Sequence, residues 1–226
     1  MSILLEACLD SVDLARMAEW GGAKRIELCD RLDIGGTTPG VALIRAVVSA
    51  VGIPVFAIIR PRGGDFVYSG AELDAMKRDA AMLKDLGAAG LVVGVLKAND
   101  TIDTARTLEV IDAAAGLPAT FHLAFERVPD RQVGLESLIG IGVDRLLTKG
   151  GGRTALDGAD GIRALVDLAA GRIAVMAGGS VREQNVEDIV RRSGVNEIHT
   201  RGLAVADILA RANGAKSVPT RSGERA

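Results

Sequence analysis

The sequence predicts an α/β fold, a small single (β/α)8 TIM barrel with a short or incomplete last helix. Three observations carry that expectation. Short, β-branched apolar runs recur along the chain, each followed by a polar or Gly-rich loop and then by an amphipathic stretch. Eight such runs occur, spaced at roughly 20 to 35 residues, about the length of one βα step. No shift in composition divides the chain, so the alternation belongs to one domain built on a parallel sheet.

The runs begin near Ile3, Arg25, Val55, Leu91, Ala119, Asp144, Arg172 and Val195. Between the second and third, Ile44, Val47, Val48 and Val51 fall at i, i+3, i+4 and i+7, the apolar stripe of a helix. Leu73, Met76, Ala80 and Leu83 repeat the stripe after the third. Ser69 with Glu72 and Ser180 with Glu183 match the capping box, and Thr38 precedes a proline suited to the first turn of a helix. The last helix is expected near Ala204 to Ala212. Residues 1–213 are thus expected to form the barrel, and 214–226 a polar, disordered tail with nothing to bury.

Of the 226 residues, 48% are apolar and 25% charged, enough for a sizeable core. The 27 basic and 29 acidic residues are scattered and leave a net charge of −2, so neither nucleic acid nor an anionic membrane finds its electrostatic footprint. An open doubly wound sheet would place a Gly-rich turn after the first strand, but that turn reads Cys8-Leu9-Asp10-Ser11. No nucleotide cofactor is expected. Two cysteines make no disulfide framework, the start of the chain lacks a basic segment, and Glu6 interrupts its apolar run. The most apolar stretch, Ala42 to Ile59, contains Arg45 and Pro54 and fits a helix, turn and strand rather than a membrane span. A cytoplasmic protein is expected, with a homodimer as the commonest symmetric assembly and no residue pattern to mark its interface.

Side chains of a barrel strand alternate between lumen and helix layer, and an unpaired charge against the helices is costly. Glu6 should therefore point inward with Leu4 and Cys8, and Arg25, Glu27 and Cys29 inward on the next strand. The same argument turns Arg60, His122, Thr148 and His199 inward on the third, fifth, sixth and eighth strands; the fourth and seventh are apolar on both faces and leave their register open. Cys8, Cys29, Arg60, His122, Thr148 and His199 fall at the C-terminal strand ends, where barrel enzymes build their sites. Arg25, Glu27, Asp144, Arg145 and Glu197 can instead fill the lower lumen with ion pairs. Glu6 and Glu27 on adjacent strands suit acid and base roles, and His122 and His199 face each other across the mouth.

Two loops carry anion signals. Gly178-Gly179-Ser180 is expected to open a helix whose backbone N–H groups hold an anion, and Gly150-Gly151-Gly152 follows the sixth strand. The stretch Arg60-Pro-Arg-Gly-Gly-Asp-Phe-Val-Tyr-Ser69 is the strongest local signature. Its Arg60 and Arg62 suit a carboxylate or phosphate clamp, unless Asp65 pairs with an arginine to brace the loop.

Glu6-Ala-Cys-Leu-Asp-Ser11, Arg25-Ile-Glu-Leu-Cys29, Gly35-Gly-Thr-Thr-Pro39, the Arg60 to Ser69 motif, Thr120-Phe-His122, Met176-Ala-Gly-Gly179 and Glu197-Ile-His199 together resemble the CutC family, the copper homeostasis proteins. The resemblance covers almost the whole chain and implies a small TIM barrel. It also implies a copper role in which Cys8 and Cys29 are the thiolate ligands for Cu(I), with Met176 or a histidine nearby. The chain departs from the usual family pattern at His122-Leu-Ala-Phe-Glu126, Thr148-Lys-Gly150 and Thr200-Arg-Gly202, all at the barrel mouth. Two functions follow as expectations. One is Cu(I) binding through Cys8 and Cys29. The other is an enzyme acting on a small anionic substrate such as a sugar or sugar phosphate, with Arg60 and the Gly178 to Ser180 turn holding the anion, Glu6 or Glu27 as base and His122 or His199 as acid.

Overall fold

The computed structural model describes residues 2–201 and 204–217. The strands are β1 (Leu4–Leu9), β2 (Arg25–Leu28), β3 (Val55–Ile58), β4 (Gly90–Val93), β5 (Ala119–Phe121), β6 (Arg145–Thr148), β7 (Ala174–Ala177) and β8 (Glu197–Arg201). All start within two residues of the positions read from hydrophobic patterning. Every strand pairs in parallel with the next, and β8 returns to β1 to close the barrel.

The helices α1 (Val12–Trp20), α2 (Val41–Ala50), α3 (Gly70–Leu83), α4 (Thr104–Ala113), α5 (Arg131–Gly140), α6 (Ala159–Ala169), α7 (Val186–Ser193) and α8 (Val205–Ser217) surround it. Their apolar stripes, including Ile44, Val47, Leu73, Met76, Ala80 and Leu83, pack on the outward side chains of the strands, such as Leu5, Ile26, Leu28, Leu91, Phe121, Leu146 and Ile198. This outer layer is the main hydrophobic core. A smaller apolar cluster of Cys29, Phe56, Ile58 and Val92 belongs to the lumen and settles the register of β4. Gly90 is the small residue that the Phe56 ring requires there, since a Cβ would sit 2.5 Å from it.

Helix starts were legible only in part. Ser69 and Glu72 do form the capping box of α3, Ser69 N donating to Glu72 Oε2 at 2.8 Å and Glu72 N to Ser69 Oγ at 3.3 Å. Ser180 and Glu183 do not, because α7 starts at Val186. Thr38 caps no helix either: α2 starts at Val41, and Thr38 Oγ1 accepts from Arg60 N at 2.9 Å, tying that loop to the end of β3. The closing helix α8 has 13 residues and reaches Ser217, past the 204–212 stretch expected for it and into the segment read as a tail. The rest of that tail, 218–226, lies outside the described residues.

Candidate functional site

The lower lumen is a closed charge network. Arg25 bonds Glu6 through Nε and Glu197 through Nη2 at 2.7 Å, and Arg145 Nε reaches the same Glu197 carboxylate at 2.5 Å. The Phe56 ring lies against both guanidiniums, 5.3 Å from Arg25 and 5.7 Å from Arg145. Arg25 Nη2 also approaches Met176 Sδ at 3.3 Å, which turns Met176 inward on β7. Asp144 is not part of this network; its carboxylate accepts from Ala119 N at 2.8 Å.

Immediately above it, the ends of β1, β2 and β8 converge. His199 Nδ1 donates to Glu6 Oε1 at 2.8 Å and lies 3.6 Å from Glu27 Oε2, which has no hydrogen-bond partner of its own among the described residues. The Cys29 thiol donates to Glu27 Oε1 at 3.3 Å, and its sulfur is 3.7 Å from Cys8 Sγ. Two sets of candidate ligand atoms result, Cys8 with Glu27 and Cys29, and Glu6 with Glu27 and His199. Gly36 permits this packing: at φ 87°, its position would otherwise bring a Cβ within 3.2 Å of Cys29 Sγ.

Neighbouring groups push the protonation states apart. Burial opposes ionisation of Glu6, but the His199 hydrogen bond and the Arg25 charge outweigh it and hold the carboxyl down to about 2. Burial, with the Cys8 charge, pushes Glu27 up to about 8. The Cys29 hydrogen bond, against burial and with His199 beside it, brings the Cys8 thiol down to about 6. That same hydrogen bond and burial drive Cys29 up. Burial alone would lower His199, yet its bonds with Cys8 and Glu6 raise it well above the usual imidazole range. At neutral pH the cluster therefore favours a Glu6 carboxylate and a His199 imidazolium, with Cys8 shifted toward its thiolate and Glu27 toward its protonated acid.

The cavity over this cluster has a volume of about 180 Å³ and is walled by Leu32, Gly35, Ile58, Arg60, Phe66, His122, Leu123, Leu147 and Arg201, with Cys8, Glu27 and His199 deeper in. Arg60 is 5% exposed and spends its guanidinium on carbonyls, Nη1 donating to Ile34 O at 3.2 Å and Gly36 O at 2.9 Å, Nη2 to Gly64 O at 3.2 Å. His122 Nδ1 accepts from Ala124 N at 3.1 Å and so caps the 3-10 helix Leu123–Arg127. Burial and the Arg60 charge bring His122 down to about 3, so it is neutral, with its proton on Nε2.

Several residues expected at the site are elsewhere. Arg62 and Asp65 brace their loop: Arg62 pairs with Asp65 at 3.0 Å and with Glu72 at 2.6 Å, and neither lines the cavity. Leu147 takes the inward position on β6, so Thr148 faces outward and donates to Glu126 Oε1 at 2.6 Å. The Gly178-Gly179-Ser180 turn lies ahead of α7 without opening it. Gly178 N donates to Thr148 O at 3.0 Å, a Cβ on Gly178 would lie 2.5 Å from Leu147, and Ser180 takes the left-handed region at φ 59°. Glu126, which no spacing marked, fills the backbone nest after β6, accepting from Lys149 N at 2.7 Å and Gly151 N at 3.1 Å. Arg201 entered the reading only as a departure from the family pattern, yet it lines the mouth.

A closed (β/α)8 barrel with a thiol, carboxylate and imidazole cluster beneath a small mouth cavity defines the class of protein. Residues 3–203 match the CutC family, and the chain belongs to it. It is 46% identical to the copper homeostasis protein cutC homolog of Mus musculus and 44% identical to that of Homo sapiens, each over 90% of this chain and 75% of the relative. The crystal structure of the copper homeostasis protein CutC from Streptococcus agalactiae superposes with a TM-score of 0.83 at 36% identity, over 90% of this chain and 99% of the other. Among the described residues no helix is long and apolar enough to cross a membrane.

Proposed function

We propose that this chain binds Cu(I) as cargo, held by the sulfurs of Cys8 and Cys29, and handles it in the reducing cytoplasm. The observation that carries the reading is the 3.7 Å approach of two free thiols, Cys8 lining the cavity and Cys29 buried behind it. Thiolates are soft ligands suited to Cu(I), and Cys8 is the more acidic of the pair. The copper homeostasis names of the relatives agree with it. Titration of the reduced protein with Cu(I) against a chelator of known affinity is expected to show one ion per chain, and the Cys8→Ser, Cys29→Ser variant to lose it. Unchanged affinity in that variant overturns the reading.

A second reading rests on a different observation, the buried and unpartnered Glu27 Oε2 beside His199. Cu(I) coordination by two sulfurs does not call for an adjacent carboxyl and imidazolium. Such a pair can move a proton to and from a small substrate in the cavity, Glu27 as the proton-holding group and His199, fixed by Glu6, as the charge that orients it. Arg60 would hold the anionic end of that substrate. His122, being neutral, serves as a hydrogen-bond donor rather than the acid. Turnover of an identified substrate that survives Glu27→Gln would remove the carboxyl from the reaction.

A further inference from the structure

The mouth cavity contains a buried cation without an anion. Among the described residues no carboxylate lies within ion-pair distance of Arg60, although the guanidinium is almost wholly shielded from water. Such burial is tolerable only if something compensates it. Three backbone carbonyls take three of its five N–H groups; Nε closes no hydrogen bond among the described residues, although the buried Tyr68 hydroxyl also interacts with this guanidinium. A second donor stands nearby in the same condition. His122 Nε2 is buried and unpartnered, and the Phe66 ring lies 5.0 Å from the Arg60 guanidinium carbon and 5.0 Å from the centroid of the His122 ring. Both residues line the same cavity.

We infer that Arg60 and His122 form a binding subsite for the carboxylate of a small organic acid whose body lies against Phe66, Ile58 and Leu147. This deepens the acid–base reading and rests on it for the fate of the ligand, though not for its binding. A planar carboxylate has two oxygens for the two kinds of unspent donor, one on a cation and one on a neutral ring. A phosphate dianion would bring more charge and more acceptors than they answer, and the backbone nest that would suit it after β6 is filled by Glu126. The cavity, at about 180 Å³, is smaller than the roughly 300–1,000 Å³ of sites for drug-sized ligands, which limits the acid to a few carbons. Glu27, Cys8 and His199 line the same cavity, so the rest of the bound acid shares it with them.

The test is calorimetric titration of the full chain, reduced and metal-free, with pyruvate, lactate, propionate and butyrate, with their neutral amides, and with inorganic phosphate. At least one carboxylate is expected to bind saturably, its amide and phosphate at least tenfold more weakly. Arg60→Gln and His122→Phe should each cost tenfold or more. Because Arg60 also braces three carbonyls, Leu123→Trp provides a second route: it crowds the mouth while keeping both donor side chains, and should also block binding. Absence of binding by all four acids, equal binding of acid and amide, or affinity unaltered in the folded Arg60→Gln protein overturns the inference. Binding is read without turnover, so a carboxylate that binds and is not transformed counts against the acid–base reading alone. Binding that persists in the Cys8→Ser, Cys29→Ser protein separates the subsite from copper.

Discussion

The lower and upper halves of the lumen are built from the same residue types and treat them in opposite ways. Below, each charge meets an opposite charge: Glu6 with Arg25, and Glu197 with both Arg25 and Arg145. Above, among the described residues, Arg60 lacks a carboxylate, Glu27 Oε2 and His122 Nε2 lack hydrogen-bond partners, and two thiols lie side by side. A buried polar group left unpaired costs stability, so the upper layer is where a bound ligand would gain most by supplying partners. The difference between layers, rather than the presence of charge in the lumen, marks the site.

The largest expected effect breaks the lower layer. Glu197→Ala leaves Arg25 and Arg145 short of a buried carboxylate and should cost about 3–5 kcal/mol of stability in denaturant unfolding, as removal of one member of a buried ion pair does. A loss under about 1 kcal/mol would mean that this layer is not structural.

Next comes the pH dependence of the upper layer. Glu27 is raised from 4.5 to about 8, so the unfolded chain ionises first; the native state loses stability as pH climbs between those values, by at most about 1.4 kcal/mol per pH unit. His199, raised above 6.5, acts in the same direction, its contribution complete below 6.5 and lost as pH passes its folded value. Glu6 has the opposite sign: held near 2, it contributes above 4.5 and is lost as pH falls below that. Glu27→Gln should therefore gain on the parent protein from pH 5 to pH 8, followed by unfolding curves at each pH. A constant difference would show Glu27 to be an ordinary carboxylate.

A smaller effect concerns the thiols. Alkylation of Cys8 should follow a midpoint near pH 6, and Cys29→Ala should move that midpoint upward, because the Cys29 hydrogen bond is the leading cause of the low value. Peptide mapping after iodoacetamide labelling across pH 5–9 reads both. The smallest effect is at the loop brace: Arg62→Ala removes partly exposed ion pairs and should change stability by no more than about 1 kcal/mol, with carboxylate binding intact.

Much of this molecule was legible in one dimension. Period-two and helical patterns located all eight strands, and the rule that charge avoids the helix layer turned Glu6, Arg25, Glu27, Cys29, Arg60, His122 and His199 inward as they are found. The same rule failed at Thr148, because a small hydroxyl buries on either face at little cost once Glu126 accepts its hydrogen bond. It was silent on β4 and β7, whose apolar side chains suit both faces. Gly178 to Ser180 does not open α7 as expected, and glycines that permit close packing against Leu147 and His199 look, in sequence, like glycines at a helix start.

The sequence by itself determined the barrel, its strand order, its family and the set of titratable groups at its mouth, because periodicity and side-chain polarity are local properties. Only the tertiary structure decided which of those groups are paired. Arg60 and Arg62 stand two residues apart in one motif, yet one is braced by Asp65 and Glu72 and the other is left buried among carbonyls. Pairing depends on distances between side chains brought in from different strands and loops, and only closure of the barrel sets them.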